Sequence, residues 1–180
     1  MEEKCNVILK GTRALLMNSC QFMLEEQETK RARENMSKKQ EAERLLYKDK
    51  EGNVVVPSLN ILACIKDSAV NFKVPGRGKK TFKSFVYAGL RIEPDNIPVI
   101  SSNGWEVDLK SVVIGSARII KARPKFIEWK LEFQIEILDP IITPSVLKDI
   151  LSDAGKYNGL LDFRPLFGLF SVETFEKIKK

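Results

Sequence analysis

The run Trp129–Ile137, WKLEFQIEI, alternates Trp129, Leu131, Phe133, Ile135 and Ile137 with Lys130, Glu132, Gln134 and Glu136. Successive side chains of a strand point to opposite faces, so this run is satisfied by a sheet with one buried and one wet face. A helix would scatter the same apolar residues around its axis. The chain must therefore build a one-sided sheet and find something to cover it.

The rest of the sequence supplies candidates. Val7–Leu16 reads as a first strand from its alternation and β-branched residues. Ser111–Ala122 reads as the partner just before the alternating run, joined to it through the short connection Arg123–Phe126 (RPKF). Ser58 sits as an N-cap before the apolar positions Leu59, Leu62, Ala63, Ile65, Ala69 and Val70, which predicts a core-facing helix. A second helix is punctuated at both ends, with Thr143 as cap, Pro144 in the first turn, Leu147, Ile150 and Leu151 as stripe, and Gly155 as stop. Phe170 and Val172 open a last strand.

The resulting order is βαββαβ, the ferredoxin-like α+β arrangement, with both helices on one face of an antiparallel sheet and the other face free for a ligand. A single domain spans residues 1–180, interrupted by insertions at about 25–53 and 72–105. In the first, Glu25–Tyr47 has no Gly or Pro and few apolar positions. It predicts a long polar helix, solvated or lying against a charged partner.

Several function classes fall away. The chain has no histidine, which removes Ser-His and Cys-His nucleophiles, HExxH zinc sites and imidazole acid–base cleavage of RNA. Cys5, Cys20 and Cys64 are odd in number and widely spaced, so they form no zinc ribbon or disulfide framework and read as reduced thiols of a cytoplasmic protein. The opening MEEKCNVILKG lacks the flanks of a secretory signal, and no apolar stretch reaches membrane-spanning length. Asp149, Asp153 and Asp162 are the carboxylates a metal-dependent nuclease would use. The expectation is a non-catalytic protein with no cofactor and no metal.

Lys and Arg total 30 against 24 Asp and Glu, a net charge of +6 whose meaning depends on placement. Between Phe72 and Arg91 there are six cations and no acid in 20 residues: Lys73, Arg77, Lys79, Lys80, Lys83 and Arg91. Pro75, Gly76 and Gly78 make its first half a loop, with Phe82, Phe85 and Tyr87 close by. Such a loop faces solvent or a polyanion, and Phe82 is the candidate to stack a base. Arg118, Lys121, Arg123 and Lys125 form a second group, either a basic platform on the free sheet face or partners of Glu128, Glu132 and Glu136.

The third group lies in Gly159–Phe175, GLLDFRPLFGLFSVETF. In one reading Asp162 and Arg164 pair locally, Pro165 fixes a turn, and Phe163, Phe167 and Phe170 pack in the core. In the other, Gly159 and Gly168 let the backbone approach a phosphodiester chain while Arg164 pairs with a phosphate.

Two stretches carry a resemblance. Val54–Ala69, VVVPSLNILACIKDSA, resembles the helix start of the RAMP superfamily, which includes the backbone subunits of CRISPR effector complexes. Gly159–Val172 resembles the glycine-rich loop that precedes the last strand of those proteins. Ala14–Asn18, Ala122–Ile135 and Ala154–Val172 are also similar to segments shared by a set of uncharacterised bacteriophage proteins. Asn18 stands where that set carries histidine, Leu161 where glycine is common, and Leu169 where arginine is common.

These resemblances imply a ferredoxin-like fold, copies that line up along a strand, and action in the host cytoplasm. The residues and the resemblance together favour single-stranded DNA or RNA as partner. Arg77, Lys79, Lys80, Lys83, Lys121, Arg123 and Arg164 would contact phosphates. Two alternatives stay open: a module that meets a host defence complex of CRISPR type through Glu25–Tyr47, and a component of virion assembly.

Overall fold

The computed structural model describes residues 3–20 and 36–178. Its chain runs β1 (Glu3–Gly11), β2 (Leu15–Leu16), α1 (Lys38–Glu43), β3 (Val55–Pro57) and α2 (Ser58–Ser68), followed by a 3-10 turn at Ala69–Asn71. Then come α3 (Lys83–Gly89), β4 (Leu90–Glu93), β5 (Asn96–Pro98), β6 (Glu106–Ile114), β7 (Ala117–Phe126) and β8 (Lys130–Ile137). The chain closes with α4 (Pro144–Asp153), a π-helical turn (Ala154–Asn158) and β9 (Phe170–Lys177).

The alternating run becomes β8, inside an antiparallel sheet ordered β4-β8-β1-β9. Its register puts apolar residues opposite one another: Leu131 faces Leu9, Phe133 faces Val7, and Ile135 faces Cys5. These residues are buried with Ile61, Cys64 and Ile65 of α2 and Leu147, Ile150 and Leu151 of α4. Both helices thus cover one face, and the mixed α+β fold is ferredoxin-like as its element order predicted.

The second strand of that unit is not where the sequence placed it. It is β4, whose Leu90 and Ile92 pair with Ile137 and Ile135 at the sheet edge. Ser111–Ala122 instead belongs to a long separate hairpin, β6–β7, which turns at Gly115, and Arg123–Phe126 lies inside β7 rather than forming a connection. Four residues are too few for period 2 to register, which is why β4 reads as the tail of a loop. The first predicted strand also breaks. β1 ends at Gly11, and Leu15–Leu16 turns away to pair with Phe126 and Lys125 of β7.

Local punctuation differs in detail. Thr143 caps α4 by accepting from the Val146 amide, with Pro144 in the first turn. Gly155 does not end the helix, because the chain winds on through the π-helical turn to Gly159 at φ +74°. Pro57 holds the N-cap position of α2, and Ser58 opens the helix. Of the predicted polar helix, Lys38–Glu43 is helical behind a Ser37–Gln40 capping box, while residues 25–35 lie outside the described residues. This helix lies against the hairpin through contacts with the hairpin's backbone, Glu41 Oε1 accepting from the Ala122 amide at 3.2 Å.

The hairpin is tied at its base to the glycine-rich loop. Arg123 is 6% exposed, and its Nε lies 2.5 Å from Asp162 Oδ2 in an ion pair set off the ideal hydrogen-bond angle. Its guanidinium also sits over Phe163, and Lys110 sits over Phe167, each about 5.1 Å from the ring centre. Asp162 therefore pairs across the fold with Arg123, not locally with Arg164. The Asp162 amide adds a bond to Leu16 O at 3.2 Å.

These contacts are open to two tests. A Cβ on Gly11 would lie 2.2 Å from the Trp129 indole, which is buried and donates to Arg13 O at 2.9 Å. Gly11→Ala should therefore destabilise the fold by about 2 kcal/mol in urea denaturation, and an unchanged midpoint would contradict this packing. Asp162→Ala, which strands a buried guanidinium, should cost about 2 kcal/mol, less than a fully buried pair because Asp162 is partly solvated. A double-mutant cycle with Arg123→Ala should return a coupling of about 1 kcal/mol or more, whereas additive losses would mean the pair is not formed.

Candidate nucleic-acid interface

The helix-free sheet face is the first place to look in such a fold, and its charge argues against a phosphate chain. One cross-strand row runs Glu93, Gln134, Asn6, Glu176, with Asn6 and Gln134 hydrogen-bonded at 3.0 Å. A depression of about 870 Å³ there is lined by Glu93, Asp95, Glu132 and Glu176 and, among the described residues, by no lysine or arginine. The cations nearby are spent on neighbours, Arg91 on Glu136 at 3.1 Å and Lys130 on Glu173 at 2.7 Å. Four carboxylates around one hollow repel a polyanion.

The hairpin cations do not form a platform either. Lys121, Arg123 and Lys125 share a face of β7, as their spacing requires, but that face is opposite Lys110, Asp108 and Glu106 of β6. Lys125 pairs with Glu106 at 2.6 Å, which raises its ammonium pKa above the usual value, chiefly through that hydrogen bond. Lys121 is half-buried beside Lys110. Arg123, held by Asp162, is withdrawn from any phosphate. The acids that balance this group are Glu106, Asp108 and Asp162 rather than Glu128, Glu132 and Glu136.

The glycine-rich stretch is packed on itself. Gly159 and Gly168 are both buried at positive φ, and a Cβ on Gly168 would come within 2.0 Å of Leu160 O. The Leu160 amide donates to Gly168 O, and the Gly168 amide to Ala14 O. These glycines serve close backbone packing, and neither offers its amide to a ligand. The Cys64 thiol belongs to the same joint, 3.1 Å from Gly159 O, and burial pushes its pKa up to about 12. Phe170 is core, while Phe163 and Phe167 are half-buried in an edge-to-face pair.

Arg164 points outward from this stretch, as Pro165 and Leu166 do, and lies 3.9 Å from Asp67 across a shallow depression of about 490 Å³ that also holds the exposed Tyr157. Asp153 is engaged by Ser68 at 2.6 Å and Asp162 by Arg123. Among the described residues no three acidic or cysteine side chains converge on a metal-sized site.

The basic stretch keeps its loop cations free. Lys73 and Thr81 form a β-bridge, Val74 N donates to Lys80 O, and Gly76 and Gly78 make the turns at positive φ. It is a short closed loop rather than an open strand, and it leads directly into α3. Arg77, Lys79, Lys80 and Lys83 are exposed, and among the described residues no ion pair engages them. Where loop and helix meet, Lys66, Lys80, Thr81, Lys83, Ser84 and Tyr87 line a depression of about 510 Å³ with no acid in its wall among the described residues. Phe85 completes it, with the Arg77 guanidinium 5.3 Å above its ring.

The aromatic named from sequence as a stacking candidate is not on the surface. Phe82 is 3% exposed, closes onto the core, and cannot meet a base. Tyr87 is 65% exposed, with Lys66 Nζ 5.5 Å from its ring centre. Phe82 and Val86 share the buried side of α3 four residues apart, while Tyr87 falls on the outer side. Lys66 was missed because it sits on another helix, α2, and only the packing of α2 against α3 brings it into the depression. Asp67 is the next residue of α2, so the Arg164 hollow opens on the adjoining flank of the same helix.

No family model matches the chain, and no curated protein matches it. The bacteriophage likeness therefore rests on sequence motifs alone. Among solved structures the chain is similar to one in the cryo-EM structure of the Type III-B Cmr-beta bound to cognate target RNA, with a TM-score of 0.65 and 10% identity. The match covers 99% of this chain and 61% of that one, so this chain spans less than two thirds of its neighbour's length. At that identity the likeness is one of fold, and it accords with a ferredoxin-like architecture.

Proposed function

We propose that this protein binds single-stranded nucleic acid without catalysing a reaction on it. The observation that carries the reading is the depression at the loop–α3 junction, where lysines with no acidic partner among the described residues surround an exposed tyrosine. Arg77, Lys79, Lys80, Lys83 and Lys66 neutralise phosphates, Tyr87 stacks a base, and Arg164 extends the track around α2. Free cations beside a π-face suit a strand whose bases are unpaired, since a duplex would keep them stacked away from Tyr87. The structural neighbour is in a complex bound to target RNA, which favours RNA over DNA. The motif likeness to bacteriophage proteins favours action in a host cytoplasm, with copies aligned along the strand.

A second reading has its own support. The neighbouring fold belongs to a CRISPR effector assembly, and Leu109, Val113 and Ile120 leave an exposed apolar strip on one face of the hairpin. On this reading the protein docks on a host defence complex of that type.

Binding to labelled single strands across a salt series tests the first reading. About five phosphate contacts give a slope near −3.5 in log affinity against log salt. Lys79→Glu with Lys80→Glu should flatten that slope by about 1.4, and Tyr87→Leu should weaken binding by about 1–2 kcal/mol. No binding at low salt would sink the reading. A complex with a defence assembly that survives the double charge reversal would favour the second. Light scattering should show stepwise mass gain on longer strands, and a constant monomer mass would remove the alignment of copies.

A further inference from the structure

We propose that the depression at the loop–α3 junction is a subsite for a terminal phosphate of a nucleotide, so that the protein holds a phosphorylated end rather than only a strand interior. This deepens the strand-binding reading and rests on it. The charge count is what points there. An internal phosphodiester carries one negative charge. A depression of about 510 Å³, the size of an ordinary small-ligand site, gathers three lysines from two elements, Lys66 of α2 with Lys80 and Lys83 at the entry to α3.

Among the described residues no carboxylate lines that wall. One diester would leave these ammonium groups repelling one another, whereas a terminal phosphate ester brings about −1.5 to −2 near neutral pH and a polyphosphate brings more.

The remaining lining fits the same ligand. Thr81 and Ser84 put two hydroxyls among the lysines, able to donate to the extra non-bridging oxygens of a terminal phosphate. Tyr87 stands open at the rim to stack the attached base, with its ring beside Lys66 rather than buried in the core. Lys79 and Arg77 lie on the loop outside the lining, placed to meet the next phosphates of a strand. The depression thus takes the end of the strand, and the loop takes its adjoining backbone.

The shared chemistry is a nucleoside bearing a terminal phosphate, whether on a strand end or on a free nucleotide, and the experiment separates the two. Anisotropy would be measured with one twelve-residue RNA sequence carrying a 5′-hydroxyl, a 5′-monophosphate, a 5′-triphosphate or a 3′-phosphate, and with labelled GTP alone. The expected result is about tenfold tighter binding of at least one phosphorylated end over the hydroxyl end.

Lys66→Ala and Lys83→Ala, both surface changes checked by circular dichroism, should erase that preference. Lys79→Glu should weaken every RNA equally. GTP binding that depends on Lys66 would assign the free nucleotide as a source, and no GTP binding beside a phosphorylated-end preference would assign the strand end. Equal affinity for all four ends would overturn the terminal-phosphate subsite while leaving strand binding intact. Failure of every RNA to bind at low salt would instead remove the strand-binding reading.

Discussion

The pleat of β8 sets the terms for everything else. Period 2 commits Leu131, Phe133, Ile135 and Ile137 to the helix-covered side, and the same geometry sends Glu132, Gln134 and Glu136 to the open side. Neighbouring strands add Glu93 and Glu176 to that side in register. A sheet face left open to solvent is thereby lined with carboxylates by the pattern that folds it. The exposed cations Arg77, Lys79, Lys80 and Lys83 sit elsewhere, in the connection before β4.

Net charge alone would not have located them. The excess of six positive charges is spread unevenly: Lys110, Arg123 and Lys125 are neutralised within the hairpin and by Asp162, and Lys4, Arg91 and Lys130 of the sheet are neutralised by glutamates. Arg77, Lys79, Lys80, Lys83 and Lys66, with no ion pair among the described residues, stand together around the loop–α3 junction. Interaction with a polyanion depends on this uncompensated charge, because paired groups would first have to give up their partners.

Legibility tracked the length of each pattern. The nine-residue alternation and the capped helix at Thr143 were readable because several residues agreed on one period or one boundary. β4 was not readable, since Leu90 and Ile92 are the whole of its buried pattern, and its identity as a strand comes from pairing with β8. The hairpin was recognised as strand but assigned to the wrong sheet, because a pleat does not say which neighbour will hydrogen-bond to it. The basic loop was legible as charge, yet its aromatic partner was not. Choosing between Phe82 and Tyr87 required the phase of a seven-residue helix that the loop signals concealed.

The closing glycine-rich stretch shows why a motif can be read correctly for backbone and wrongly for purpose. Its positive-φ glycines and its Asp–Phe–Arg–Pro turn do mark a place where backbones come close, as expected of glycine there. The approaching backbone is the protein's own: Leu160 against Gly168, and Ala14 against both through Gly168 N. That joint fastens β9, the turn after β1 and the base of the hairpin at one point, with the Arg123–Asp162 pair as its polar core. Arg164 is carried on the outer rim of this rigid knot. A cation held on such a support loses less conformational freedom on meeting a phosphate than one on a free loop. The structural role of the glycines and the outward placement of the arginine therefore reinforce each other.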